Sequence, residues 1–111
     1  MQRQSTTVEM DPRQVRQLVE QIGAWTILGV SGGRVIDRGD RLELPCGSGY
    51  LVHVELDVMD WYRVSRVKVD GATYREVGAQ DEVYAWDVSE AVYKAGMFAM
   101  PWPEGGIDEM P

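Results

Sequence analysis

The sequence predicts an α+β domain with an N-terminal helix, about five mostly antiparallel strands, and a C-terminal helix packed on one face of the sheet. Three observations carry this. Apolar residues recur at helical spacing near residues 15–22 and 84–95. The stretch between them alternates, or runs apolar in short segments. Glycine-containing turns separate those segments by only a few residues, which makes antiparallel neighbours the natural connection.

In chain order, residues 1–10 are polar and aperiodic and read as a flexible N-terminus. Asp11 is suited to cap a helix and Pro12 to occupy its first position. Val15, Leu18, Val19 and Ile22 then fall on one stripe, and Gly23 suits a left-handed C-terminal cap. Trp25 to Val30 is a short, largely apolar run between glycines and reads as a central strand covered on both faces. Ser31-Gly32-Gly33 turns the chain, Arg34 to Ile36 reads as a short strand, and Asp37-Arg38-Gly39-Asp40 is turn chemistry. Leu42 and Leu44 alternate with Arg41 and Glu43 in a strand that Pro45 is expected to end, and Cys46 to Gly49 form a loop.

The clearest alternation follows. Tyr50, Val52, Val54, Leu56 and Val58 face the core, with His53, Glu55 and Asp57 on the solvated side and Leu51 the apolar exception there. Trp61 to Val69 is joined by Asp70-Gly71 to Ala72–Val77, a hairpin signal in which both loop residues take positive φ. Tyr62 and Val64 share one parity and Val67 and Val69 the other. A bulge near Ser65-Arg66 is the preferred explanation, with partial cover of both faces the alternative. A second helix carries Tyr84, Val88, Ala91, Val92 and Ala95 and ends at Gly96; its start is open between Asp81 and the Asp87/Glu90 pair. The chain thus divides into residues 1–10, a single α+β domain over 11–98, and an acidic tail over 99–111 that holds Pro101-Trp102-Pro103.

At 111 residues this is one domain's worth of chain. Cys46 has no second cysteine to pair with, the first residues lack the apolar stretch of a secretion signal, and no apolar run reaches the roughly 18 residues of a membrane helix. The expected location is the cytoplasm. The net charge is −7, of which −6 falls from residue 81 onward, where seven acids face Lys94 alone. A negative field repels phosphate backbones and disfavours nucleic acid as a general partner.

No motif commits the chain to catalysis, a metal or a cofactor. Cys46 and His53 are the lone thiol and imidazole, and a nucleophile–base pair needs both within hydrogen-bond reach; a loop cysteine and a solvent-facing histidine is the simpler reading. Two nitrogen or sulfur donors are too few for zinc. Ser31-Gly32-Gly33 and Gly47-Ser48-Gly49 lack the lysine of a phosphate loop, and Arg38-Gly39-Asp40 reads as a turn. Glu55, Asp57 and Asp60 read as solvated carboxylates. The segment 61–75 stands out. Arg63, Arg66, Lys68 and Arg75 against Asp70 give +3 beside Trp61, Tyr62 and Tyr74, a mixture used by protein hot spots and by single-strand stacking surfaces. An edge hairpin protected by its own charges is the competing explanation. Trp102, among the methionines and prolines of the tail, is a further docking candidate.

Gln21-Ile22-Gly23, Ile27 to Gly33, Leu44-Pro45 leading to Gly49-Tyr50, Asp60-x-Tyr62-x-Val64 and Val83-Tyr84 together resemble small uncharacterised proteins of actinobacterial phages and mobile elements. The likeness spans about residues 15–98, and the tail departs from it. It implies a phage or prophage accessory protein in a host bacterial cell, and no particular reaction. The expected function is therefore non-enzymatic binding of a host protein, in anti-defence or host takeover. The alternative is a self-assembling structural protein or a single-stranded nucleic-acid-binding module that uses the 61–75 hairpin.

Overall fold

A computed structural model describes residues 7–97; the expectations for residues 1–6, for the tail and for Trp102 lie outside the described residues. The α+β architecture is as expected, with three helices and a six-stranded antiparallel sheet. Residues 7–10 differ from the flexible N-terminus expected of them. Thr7–Val8 forms a short strand, β1, and Met10 is buried in the core.

Helix α1, Pro12–Ile22, forms for local reasons. The Asp11 carboxylate accepts from the Gln14 N–H at 2.9 Å, and the Gln14 side-chain oxygen accepts from the Asp11 N–H at 2.9 Å, a reciprocal capping box. Leu18 and Ile22 point into the core. Gly23 is not a left-handed cap: at φ 90 and ψ 145 it links α1 directly to a second helix, α2, Ala24–Ser31. The central strand expected over Trp25–Val30 is thus a helix. A short apolar run does not distinguish the two, and here the glycine that decides is Gly32, left-handed at φ 64, whose N–H caps Leu28 O at 2.9 Å.

The sheet follows in the order β2-β3-β4-β5-β6: β2 Ile36–Asp37, β3 Leu42–Gly47, β4 Tyr50–Asp57, β5 Tyr62–Asp70 and β6 Thr73–Val83. β1 pairs with β4 beyond the end of β3, through Val8↔Leu56 and Thr7↔Asp57. Pro45 does not end β3; the strand continues past it through an irregularity at Cys46 to Gly47↔Tyr50. In the hairpin, Asp70 pairs with Thr73, so the loop is Gly71-Ala72 and not Asp70-Gly71. Among these residues positive φ falls on Gly71 alone, the pattern of a type II′ turn. β4 and β5 pair without interruption from Tyr50↔Lys68 to Leu56↔Tyr62, so β5 carries no bulge toward β4. The ladder shifts beside Arg66, but the extra residue is Val77 of β6, and a second shift in β6 lies where Glu82 takes φ 57. β5 is covered on both faces instead.

Helix α3, Val88–Met97, takes the later of the two starts, with Asp87 O accepting from the Ala91 N–H at 3.0 Å. Gly96 lies inside it and does not cap it. A Cβ there would sit 2.6 Å from Val30 Cγ1, so glycine sets the approach of α2 and α3. Val88, Ala91, Val92 and Ala95 of α3, with Leu18, Ile22, Ile27 and Val30, pack onto Leu42, Leu44, Val52, Val54, Leu56, Val64 and Val83 of the sheet. No described helix is long and apolar enough to cross a membrane.

Candidate functional site

Two surfaces of opposite character result. The first lies on the helical layer. The apolar residues of α2 do not keep to one side of the helix, so it cannot bury all of them against the sheet, and it leaves Trp25 86% and Leu28 54% exposed. α3 lies beside it, running the same way. Thr26 Oγ1 and Ser89 Oγ are hydrogen-bonded at 2.9 Å near the helix starts, and a Cβ on Gly29 would meet Met97 Cε at 3.7 Å near their ends. Tyr93 and Met97, exposed on α3, extend the same surface. Trp86, 79% exposed, precedes α3 and stacks on Tyr84 with ring centroids 5.1 Å apart. Val19, Ala24, Ile27, Leu28 and Val35 line an open groove of about 760 Å³ next to Trp25. The exposed Glu20 lines the groove as well, while Asp87 and Glu90 gather with Gln80 of β6 and Lys94, which is held to Glu90 at 3.0 Å.

The second surface is the sheet face away from the helices. Because cross-strand partners share a face, the register places Glu43, His53 and Ser65 in one row across β3, β4 and β5. All three are buried, which corrects the solvent-facing histidine expected from the alternation. Long side chains from neighbouring rows cover them. His53 Nε2 lies 2.9 Å from Glu43 Oε1, and the Arg38 guanidinium donates to Glu43 Oε2 at 3.0 Å. Burial pushes the Glu43 carboxyl up, but these hydrogen bonds outweigh it and hold the group below the ordinary carboxylate range. In the next row Arg63 makes a bidentate contact to Glu76 at 2.6 and 2.8 Å and lies 3.3 Å from Asp81 and 3.8 Å from Glu55. Glu55 also accepts from Thr7 Oγ1 at 2.8 Å. Asp57, read from sequence as solvated, is buried, and its carboxylate accepts from the Met59 N–H at the turn after β4.

The residues singled out over 61–75 do not gather on one surface. Tyr62 is buried on the helix side, its hydroxyl donating to Gln21 Oε1 at 2.6 Å, and burial raises its pKa. Arg66 is buried on that same side, where it donates to Ala95 O at 2.7 Å at the end of α3 and stacks on Tyr50 at 3.9 Å. Arg63 is on the opposite face, engaged as above. Trp61 and Lys68 are half-buried, and Tyr74 and Arg75 are exposed near the hairpin end. A continuous stacking surface for nucleic acid is not formed by these side chains.

Cys46 and His53 also fall on opposite faces. Cys46 packs against the helix-side core, and burial pushes its thiol pKa up, away from thiolate chemistry. Arg38-Gly39-Asp40 is a turn, with Gly39 at φ 89 and its N–H donating to Asp37 Oδ1 at 2.8 Å. Among the described residues no three His, Cys, Asp or Glu side chains are placed to hold a metal ion. Reading the sequence missed Trp25, Leu28 and Trp86 as surface residues and Ser65 as the neighbour of His53. The first depended on α2 being a helix, the second on strand register. The chain matches no protein-family model, no curated protein and no solved structure.

Proposed function

We propose that the chain is a non-enzymatic binding protein that docks another protein on the face formed by α2, α3 and the Trp86 segment. The observation that carries this is the exposure of Trp25 and Leu28 on α2 at the apolar groove, with Tyr93 and Met97 exposed on the neighbouring α3 and Trp86 exposed just before it. Large apolar groups gathered on one surface mark interaction sites, and tryptophan and tyrosine dominate the energetics of such sites. The exposed Glu20 in the groove lining favours a partner whose contact is apolar at its centre and carries a basic group at its rim. The sequence resemblance supports a host protein of a phage or mobile element as that partner. Self-association through the same face is the competing reading.

The test compares three forms of the full chain: the natural sequence, Trp25→Ser/Leu28→Glu, and Tyr74→Ala/Arg75→Ala in the hairpin. The reading predicts one specific host protein captured by the first and third forms and lost by the second, with the bait monomeric by light scattering. Capture lost only in the hairpin variant overturns it. A dimer that the Trp25→Ser/Leu28→Glu change dissociates replaces the host partner with a second copy.

A further inference from the structure

Residues 98–111 continue from Met97, the last residue of α3, and the place where they leave the fold sets what they can reach. α3 flanks α2 on one side, facing Thr26, Gly29 and Val30. The apolar groove opens on the other side, where Ala24, Ile27 and Leu28 line it with Val19, Gly33 and Val35. At about 3.6 residues per turn, these two sets of α2 residues fall on opposite sides of the helix. The exposed ridge between them carries Trp25 near the start of α2 and Gly29 and Gly32 near its end. A Cβ on Gly32 or Gly33 would meet nothing within 4 Å, so the ridge is low where Met97 approaches Gly29. We propose that residues 98–103 cross this saddle and seat Trp102 in the groove, so that the chain covers its own docking face until a partner displaces it.

Reach is sufficient. An extended chain covers at most about 3.5 Å per residue, so Trp102, five residues past Met97, has about 17 Å with which to cross a helix about 10 Å wide. The groove, of about 760 Å³, has room for an indole and the prolines on either side of it. Its chemistry suits that side chain. The lining is apolar except for one carboxylate, Glu20, which is exposed on the α1 wall and accepts no hydrogen bond from a described residue. An indole is an apolar body with a single N–H donor, which such a wall can receive.

Charge adds orientation. Residues 98–111 contain Glu104, Asp108 and Glu109 and no base. Arg34, exposed between the groove residues Gly33 and Val35, makes no ion pair with a described residue and is the cation nearest in sequence to that wall. An exposed pair of this kind contributes little energy, so it sets direction while burial of the ring supplies the hold. Pro101 and Pro103 limit the backbone freedom lost on seating, and a tethered segment acts at a local concentration on the order of millimolar. A separate protein must outcompete it. One that brings a basic group to Glu20 makes the stronger, charge-assisted contact and releases Trp102. This regulatory role rests on the docking reading above; the seat itself does not.

The experiment records nuclear Overhauser contacts from the Trp102 ring in the full-length protein. The expected result is contacts to the methyl groups of Ile27, Leu28 and Val35 that do not change on dilution. They should be absent from isotope-filtered spectra of mixed labelled and unlabelled chains. Leu28→Glu, at an exposed position, should abolish those to Val35, and Glu20→Ala should weaken them more than Glu20→Gln, which keeps an acceptor. Trp102 without these contacts, contacts to Val35 that persist unchanged in Leu28→Glu, or contacts between chains overturn the seat. In the pull-down, Trp102→Ala is expected to raise recovery of the host protein at least about threefold. Equal recovery from the natural chain and Trp102→Ala overturns the competition. Trp102 contacts without any captured partner leave the seat standing and defeat the docking reading instead.

Discussion

Glu43 shows how one residue organises a surface. Its two carboxylate oxygens divide between Arg38 and His53, and it is buried on a sheet face that carries no helix among the described residues. Its pKa is depressed relative to the unfolded chain, so the unfolded state takes up the proton first as the pH falls. The stability Glu43 contributes is therefore complete above about pH 4.3, the ordinary glutamate value, and drains away as acidification proceeds toward the folded-state pKa. Glu43→Gln cannot titrate. Denaturant unfolding between pH 5 and 2 is expected to show a shallower acid-side loss of stability than in the natural chain, and parallel slopes would mean that the pairs contribute nothing. The burial of His53 and Ser65 was not legible from the alternation in β4. The long side chains that cover His53 arrive from outside β4, Arg38 from the turn after β2, Arg63 from β5 and Tyr74 from β6, and a one-dimensional pattern does not say which segments adjoin.

At the scale of elements, legibility followed how local the determinants are. α1 could be read from its cap through its proline and its stripe, which lie within a dozen residues, but not at its end, where Gly23 leads into α2 and does not cap left-handed. α2 could not, because its identity depends on Gly32 acting as a helix cap and on α3 receiving one side of it. The hairpin was placed correctly but its loop was off by one, since the register of β5 and β6 puts Asp70 inside the ladder. The α2–α3 contact makes its own prediction. Alanine ordinarily favours a helix interior over glycine by about 1 kcal/mol, but at Gly96 its methyl would meet Val30, whose branched side chain has little freedom to withdraw. Gly96→Ala is expected to destabilise the fold by about 1–2 kcal/mol in urea unfolding, and Val30→Ala in the same chain should recover part of that loss. A more stable single variant would show that the two helices can separate at no cost.

Across the described residues, the helical layer and the opposite sheet face divide the chemistry, one apolar and one charged, with the core between them. The sheet also ends in β6, an eleven-residue strand that among the described residues is hydrogen-bonded only to β5. Long edges invite pairing between copies, and bulges are a common protection because they bend the strand out of register. Deleting Val77 would align Glu76 and Gly78 with Val67 and Arg66 in a regular ladder and keep the facing of both flanks. The expected outcome is concentration-dependent light scattering absent from the natural chain; a variant that stays monomeric would assign the protection to the charges of Arg75, Glu76, Asp81 and Glu82 instead. Gly23 bears on the whole body in a different way. A single residue, in a backbone state that other amino acids reach only under strain, is all that separates α1 from α2, so the pair has no slack and behaves as a bent lever. Force delivered at one arm must be felt at the other, and occupation of Trp25 would register as slowed amide exchange far away, in the turns of α1.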